Sequence, residues 1–235
     1  IFHIHDPELL PLALRFKRRG NIVIYDSHED FPMQIFDKKW IPCPFRKTIS
    51  FLSCMYQNYV LKRINAVITV TPHISDKLRK VNKNTYVITN YPKLDESICF
   101  NNNVKLDRTI CFAGGISPQW NHETILKTMQ GIKDVKYVLC GFGESSYLDK
   151  LKDNIMWRNV IYYGQLAHHE ALQKLSSSSV GMALLSKSGN TGWNTGTLGN
   201  TKLFEYMYAG IPVICTDFIL WKDIIEKNNC GICVN

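Results

Sequence analysis

No run of about 18 apolar residues occurs anywhere in the chain, which excludes a transmembrane helix. Charged residues are scarce at 20% against 45% hydrophobic, and 11 Tyr, 11 Phe and 5 Trp accompany them. That balance excludes a disordered chain, because there is apolar material to offset chain entropy. Short tandem repeats are lacking, and the only low-complexity tract is the run of four serines at 176–179. Two aspartates separated by one residue, the usual anchor for a metal-bound diphosphate, occur nowhere. Eight cysteines are dilute in 235 residues, so a disulfide scaffold is not expected. Cys111, Cys140 and Cys215 sit in short apolar runs where a thiol acts as a small hydrophobe, and a reducing cytoplasm fits. Cys230 and Cys233 form a lone CxxC without a second pair, read as a strand carrying two buried thiols.

What is present is apolar alternation and an uneven charge. The net charge is +8. The first hundred residues carry 15 Lys and Arg against 9 Asp and Glu, so most of the excess lies there. Between Lys38 and Arg63 stand six cations (Lys38, Lys39, Arg46, Lys47, Lys62, Arg63) and no acid, interleaved with Trp40, Phe45, Phe51, Tyr56 and Tyr59. Such a segment suits an anionic membrane surface; a solvated helix with its aromatics in the core is the other reading. Nucleic acid is not expected, since no binding module accompanies the charge. Apolar runs at both ends of the chain give the expectation of a polypeptide truncated at each.

Apolar runs at 1–4, 22–25, 66–70 and 85–88 alternate with helical spacing at 8–19, 46–63 and 73–81. Periodicity lapses over 90–108, read as a linker. A second series has runs at 109–113, 135–140, 159–163, 179–185, 211–215 and 231–234, with helices near 121–130, 145–153, 168–176, 201–209 and 219–227. The expected fold is α/β: a Rossmann-like domain over 1–100 and another over 101–235, both with parallel sheets.

Ligands of such sheets sit where strands enter helices. Gly114 and Gly115 lie in one such loop, where bare backbone can approach a phosphate or simply make a tight turn. Gly141 and Gly143 are a weaker repeat of the pattern, since Ser146 stands where a dinucleotide fingerprint needs a third glycine. In the stretch 200–213, Asn200 or Thr201 can cap a helix and Lys202 adds a cation. The Glu205 carboxylate there can accept two ribose hydroxyls or merely complement the helix dipole. His28 stands beside Glu29 and Asp30, while His3 and His5 share a strand face. These histidines with Asp6 admit a metal cluster, but one imidazole turned into a cleft for hydrogen bonding or acid/base work is the preferred reading, with no metal.

The ordered set His3-Ile4-His5-Asp6-Pro7-Glu8, Tyr25-Asp26-Ser27-His28-Glu29-Asp30, Val67-Ile68-Thr69-Val70-Thr71 and Thr201-Lys202-Leu203-Phe204-Glu205, closed by Gly210-Ile211-Pro212-Val213, resembles the retaining glycosyltransferases of family 4. The resemblance implies a GT-B fold, two Rossmann-like domains facing across a cleft, here with the first domain incomplete and the second lacking its end. It implies transfer of a hexosyl unit, with retention, from a nucleotide-sugar donor, taken as a UDP-sugar. The acceptor is expected to be a saccharide or lipid-linked saccharide in surface polysaccharide biosynthesis. His28 matches the histidine near the reacting centre, with His5, Asp6 and Glu29 on the acceptor side. Gly114 and Gly115 match the diphosphate loop, Gly164, Gln165 and Leu166 the base segment, and Glu205 the ribose-binding glutamate. Thr197, Asn200, Thr201 and Lys202 complete the expected donor side.

Two departures stand out. Thr197 occupies the place of the first glutamate in the family's E-x7-E motif, and residues 119–122 lack the basic pair expected after the glycine loop. Lys202 is read as the substitute cation. Neither a cofactor nor a metal is expected. A nucleotide-sugar 2-epimerase of the same fold and a non-catalytic nucleotide-sugar-binding subunit are the competing readings. The expected location is cytoplasmic, peripheral at the inner face of the cell membrane.

Overall fold

The computed structural model describes residues 1–38, 40–93 and 106–235. Most of the expected linker at 90–108, and Lys39, fall outside them. Ten strands alternate with nine α-helices among the described residues. They divide into one unit of Ile1–Asn90 with Lys187–Asn200, and another of Tyr91–Ser186 with Thr201–Asn235. Residues 187–200 thus group with the first unit, where the sequence reading had kept all of 101–235 together.

In the first unit β1 (Phe2–Ile4), β2 (Val23–Ser27), β3 (Ala66–Thr69) and β4 (Thr85–Val87) form a parallel sheet in sequence order. The connections are α1 (Leu10–Arg18), the short α2 (Phe31–Gln34), α3 (Cys43–Leu61) and α4 (Pro72–Arg79). A short 3-10 turn, Pro7–Leu9, leads into α1, so Pro11 falls in the first helical turn, where its missing N–H costs nothing. Lys17 and Arg18 end the helix, as the dipole favours. Ile4, Tyr25 and Val67 on the sheet meet Leu10 and Ala13 of α1, Val60 and Leu61 of α3, and Ile74 and Leu78 of α4. Asn65 ties the layers together: its Oδ1 accepts from the Val23 N–H at 2.9 Å and from Lys17 Nζ at 3.0 Å.

Helix α3 buries only Ser50, Gln57, Val60 and Leu61. Phe45, Ile49, Leu52, Tyr56 and Tyr59, spaced four and three residues apart along one face, are exposed, as are Phe51 and Met55. The aromatics of this segment are therefore not core, contrary to the alternative read from spacing.

The second unit holds β5 (Thr109–Ala113), β6 (Lys136–Cys140), β7 (Val160–Gly164), β8 (Val180–Ala183), β9 (Val213–Thr216) and β10 (Gly231–Val234). Its helices are α5 (His122–Met129), α6 (Ser145–Lys152), α7 (His168–Ser176), α8 (Lys202–Tyr208) and α9 (Ile219–Asn228). The order is β10-β9-β8-β5-β6-β7, with every pair parallel. This is the doubly wound order, whose direction reverses between β5 and β8. Helix α8 is seated by Tyr206, whose hydroxyl donates to Met182 O at 2.9 Å inside the core. Cys111, Cys140 and Cys215 are buried, as expected. Cys230 and Cys233 are only half-buried, a correction to the reading of two buried thiols, because β10 is an edge strand; Cys233 Sγ lies 3.5 Å from Cys215 Sγ.

Candidate functional site

The reversal between β5 and β8 puts two loops side by side at the carboxyl ends of the strands. β5 ends at Ala113 and gives way to Gly114, whose φ of +136° suits glycine. The Gly114 N–H donates to Cys140 O at 3.0 Å, the Gly141 N–H to Gly164 O at 2.6 Å and the Ile116 N–H to Phe142 O at 2.7 Å. The loops after β5, β6 and β7 are thus joined backbone to backbone, and a β-carbon at Gly141 would overlap the Gly114 carbonyl. They frame a cavity of about 350 Å³ lined by Gly114, Gly115, Gln165, Leu166, Thr201, Lys202 and Glu205.

Lys202, on the first turn of α8, is only 8% exposed. Its Nζ donates to Ala113 O at 2.6 Å and lies 4.5 Å from the Phe112 ring centroid and 4.9 Å from that of Trp120. Burial pulls its pKa from 10.5 down to about 8, against the opposing charge of Glu205. Glu205 Oε1 accepts from the Thr201 hydroxyl at 2.8 Å and lies 3.4 Å from His168 Nε2. Thr201 stands at the N-cap of α8 but makes no capping bond, its hydroxyl being spent on Glu205.

In the first unit, Asp26 on β2 is nine-tenths buried and faces three imidazoles. His3 Nε2 lies 3.4 Å and His5 Nδ1 3.7 Å from Asp26 Oδ2, while His28 Nε2 lies 3.8 Å from Oδ1. His5 Nδ1 and His28 Nε2 are 3.2 Å apart. Asp26, not Asp6, is therefore the carboxylate of this cluster: it stands on the strand beside β1, whereas Asp6 precedes the Pro7–Leu9 turn. His5, Asp6, His28 and Glu29 all line one cavity of about 330 Å³, with Glu8 and Lys38 on its wall. Glu29 accepts from Gln34 Nε2 and from the Asn190 side chain. Although the residue is exposed overall, packing about its carboxyl raises its pKa, and the positive charge of Lys38 works against the rise.

The segment 187–200 packs within this unit. Thr197 Oγ1 lies 3.3 Å from Thr71 Oγ1 and accepts the Gly199 N–H at 3.1 Å. Gly192 abuts His73, whose two ring nitrogens find no hydrogen-bond partner and whose pKa burial lowers. Thr197 and Asn200 thus belong to a different unit from Thr201, Lys202 and Glu205, although all five were grouped on the donor side.

The family model described as Glycosyl transferases group 1 matches residues 95–235, more than half of the chain. The chain belongs to this family. No curated protein matches it in sequence. In fold it is similar to a mutant of TarM from S. aureus solved with fondaparinux, alpha-GlcNAc-glycerol and UDP, at 16% identity and a TM-score of 0.68, covering 99% of this chain and 45% of that one. It is also similar to sucrose-phosphate synthase from Thermosynechococcus elongatus, at 16% identity and a TM-score of 0.67, covering 99% and 59%. A third likeness is to Alr3699/HepE from Anabaena in complex with UDP and glucose, at 13% identity and a TM-score of 0.62, covering 91% and 59%. The chain spans about half the length of these structures. The shared fold is that of GT-B glycosyltransferases, α/β with parallel sheets in two Rossmann-like units.

Within this glycosyltransferase group 1 chain, residues 120–122 are engaged in packing and internal hydrogen bonds. Trp120 is buried beneath Lys202, and the Asn121 amide donates to Leu184 O at 2.9 Å and to Ser186 Oγ at 3.1 Å. His122 is fully buried with Nδ1 2.8 Å from the Tyr137 hydroxyl. Sequence reasoning missed His168, Asn190 and His73, and passed over Asp26. Only Asp26, beside His28 and opposite His5, carried a usable signal.

Proposed function

We propose that the protein moves a glycosyl unit from a UDP-sugar to a hydroxyl of a saccharide or lipid-linked saccharide, with retention, in surface polysaccharide biosynthesis. The observation that carries this reading is the cavity at the strand-order reversal, where a buried ammonium, a carboxylate and bare glycine backbone converge. Glu205 takes the ribose, Gly164, Gln165 and Leu166 take the base, and Gly114 and Gly115 let the diphosphate approach the backbone. Lys202, beneath that loop, supplies the positive charge that a metal supplies elsewhere, so the reaction needs no metal or cofactor. His28 touches the sugar near the reacting carbon, with His5, Asp6 and Glu29 toward the acceptor. That two of the similar structures were solved with UDP favours uridine. Retention rests on the family 4 resemblance alone.

Among the described residues no helix is long and apolar enough to cross a membrane. The exposed aromatics and cations of α3 support peripheral attachment to an anionic leaflet.

Calorimetric titration of the full-length protein with UDP, GDP and ADP tests the donor reading. UDP binding is expected, and failure of all three overturns it. Incubation with donor alone separates the competitors: epimerised sugar with free UDP marks an epimerase, and donor binding without turnover on any acceptor marks a binding subunit.

A further inference from the structure

We propose that His3, His5 and Asp26, with His28 at its edge, form a binding site for a divalent transition ion of the zinc type in the first unit. No metal enters the transferase reading, and the site rests on side-chain geometry alone. Ligand atoms of His3, His5 and Asp26, one from each, lie within 4.8 Å of one another. The individual separations are 3.2 Å between His5 Nδ1 and His28 Nε2, 3.4 and 3.7 Å from Asp26 Oδ2 to His3 and His5, and 3.8 Å from Oδ1 to His28. A tetrahedral zinc ion with bonds of about 2.0–2.2 Å holds its ligand atoms about 3.3–3.6 Å apart, close to the 3.4 and 3.7 Å that separate Asp26 Oδ2 from His3 Nε2 and His5 Nδ1.

Hydrogen bonding accounts for the contact between His5 Nδ1 and His28 Nε2 but not for those to the carboxylate. The three imidazole-to-carboxylate distances exceed the 2.7–3.2 Å of such bonds, and Asp26 Oδ1 is buried with no hydrogen-bond partner. A buried carboxylate oxygen left in that state is costly, and a cation shared with the imidazoles removes the cost. Two imidazole nitrogens and one carboxylate, with the fourth position open, are a donor set suited to zinc, cobalt or nickel rather than to magnesium or calcium. The imidazoles are partly exposed, which leaves the ion a way in. The fold builds the set simply: His3 and His5 are two residues apart along β1 and its continuation, and Asp26 and His28 are likewise spaced along β2 and its continuation. Because the ion takes the Nδ1 lone pair of His5, which faces His28 Nε2 at 3.2 Å, it disturbs the sugar-side role given to His28. The predicted consequence is inhibition of transfer by zinc.

Cobalt serves as the probe. Titration of untagged, reduced full-length protein with Co²⁺ is expected to give visible bands of tetrahedral nitrogen and oxygen ligation, saturating at one ion per chain and displaced by Zn²⁺. His3→Gln and Asp26→Asn should each abolish them, since losing a direct ligand costs more than the about 10- to 100-fold in affinity that loss of an outer partner costs. No bands, bands surviving in either folded variant, or thiolate charge-transfer bands placing the ion on cysteine would each overturn the site. Should a variant fail to fold, wild type decides: zinc is expected to shield His3 and His5 from diethylpyrocarbonate, and labelling of these two unchanged by zinc refutes the proposal.

Discussion

The ammonium of Lys202 occupies the space that a β-carbon on Gly114 would need. The loop after β5 and the first turn of α8 are therefore fitted to each other, with the Nζ to Ala113 O bond as the strut. Gly114→Ala should destabilise the protein by about 1–3 kcal/mol, from the left-handed φ alone, and by more through the collision. Gly115 has open space around its Cα. Gly115→Ala should leave the melting temperature unchanged and weaken UDP binding. Thermal denaturation beside calorimetry separates the two effects, and equal melting curves for both variants would contradict the fit described.

Donor affinity should depend on the charge of Lys202. Its pKa of about 8 means the ammonium is present at neutral pH and is lost as pH rises through 8 rather than through 10.5. UDP binding, measured between pH 7 and 9.5, should weaken across that window in wild type. In Lys202→Met only the ligand's own titration should remain.

The architecture was legible because its signals are local. Alternation of apolar runs with helical spacing anticipates every strand from β5 to β10, and α5 to α9 begin and end within about two residues of their expected bounds. Short α2 escaped because four residues show no period. The site was read less well for a physical reason. The group contributed by 187–200 depends on which unit that segment packs against, and nothing in Ser188, Gly189, Asn190 or Thr191 encodes that choice locally. The same holds for Asp26, whose role appears only once β1 lies beside β2, and for Trp120, which reads as a loop residue until Lys202 is seen above it.

Glu205 separates binding from packing. A charged hydrogen bond to the ribose is worth about 1.5–3 kcal/mol, so Glu205→Ala should raise the UDP dissociation constant roughly 10- to 150-fold. His28→Ala should instead lower turnover with little change in donor affinity. Equal affinity in wild type and Glu205→Ala would leave Glu205 as the partner of Thr201 and His168 only.

Stability should fall in mild acid because of His122. Burial lowers its pKa from 6.5 to about 4, so the unfolded chain binds the proton first as pH drops. Stability is fully present above about 6.5 and is lost progressively down to about 4, a total of order 3 kcal/mol at 1.36 kcal/mol per pKa unit. Denaturant melts of wild type and His122→Phe between pH 7 and 4.5 measure this directly. A slope no smaller in the variant would assign the acid sensitivity to other groups.

The outward face of α3 makes the last prediction. Phe51 is 63% exposed, and Phe45, Leu52 and Met55 are exposed beside it, so an apolar strip lies next to Lys47, Lys62 and Arg63. Arg63 stacks over the Tyr59 ring at 3.6 Å, which holds a cation against the strip. Insertion of apolar side chains and attraction of cations to an anionic leaflet, up to about 1 kcal/mol per charge, then act together. Binding to anionic vesicles should be strong at low salt and weaken as salt shortens the screening length. Phe51→Ser with Leu52→Ser removes only exposed groups, so the fold should persist while vesicle sedimentation is lost. Neutralising Lys47, Lys62 and Arg63 should shift the salt dependence instead. Retention on anionic vesicles in both sets would exclude this face from attachment, whereas loss in the first with an altered salt profile in the second requires both components of the face.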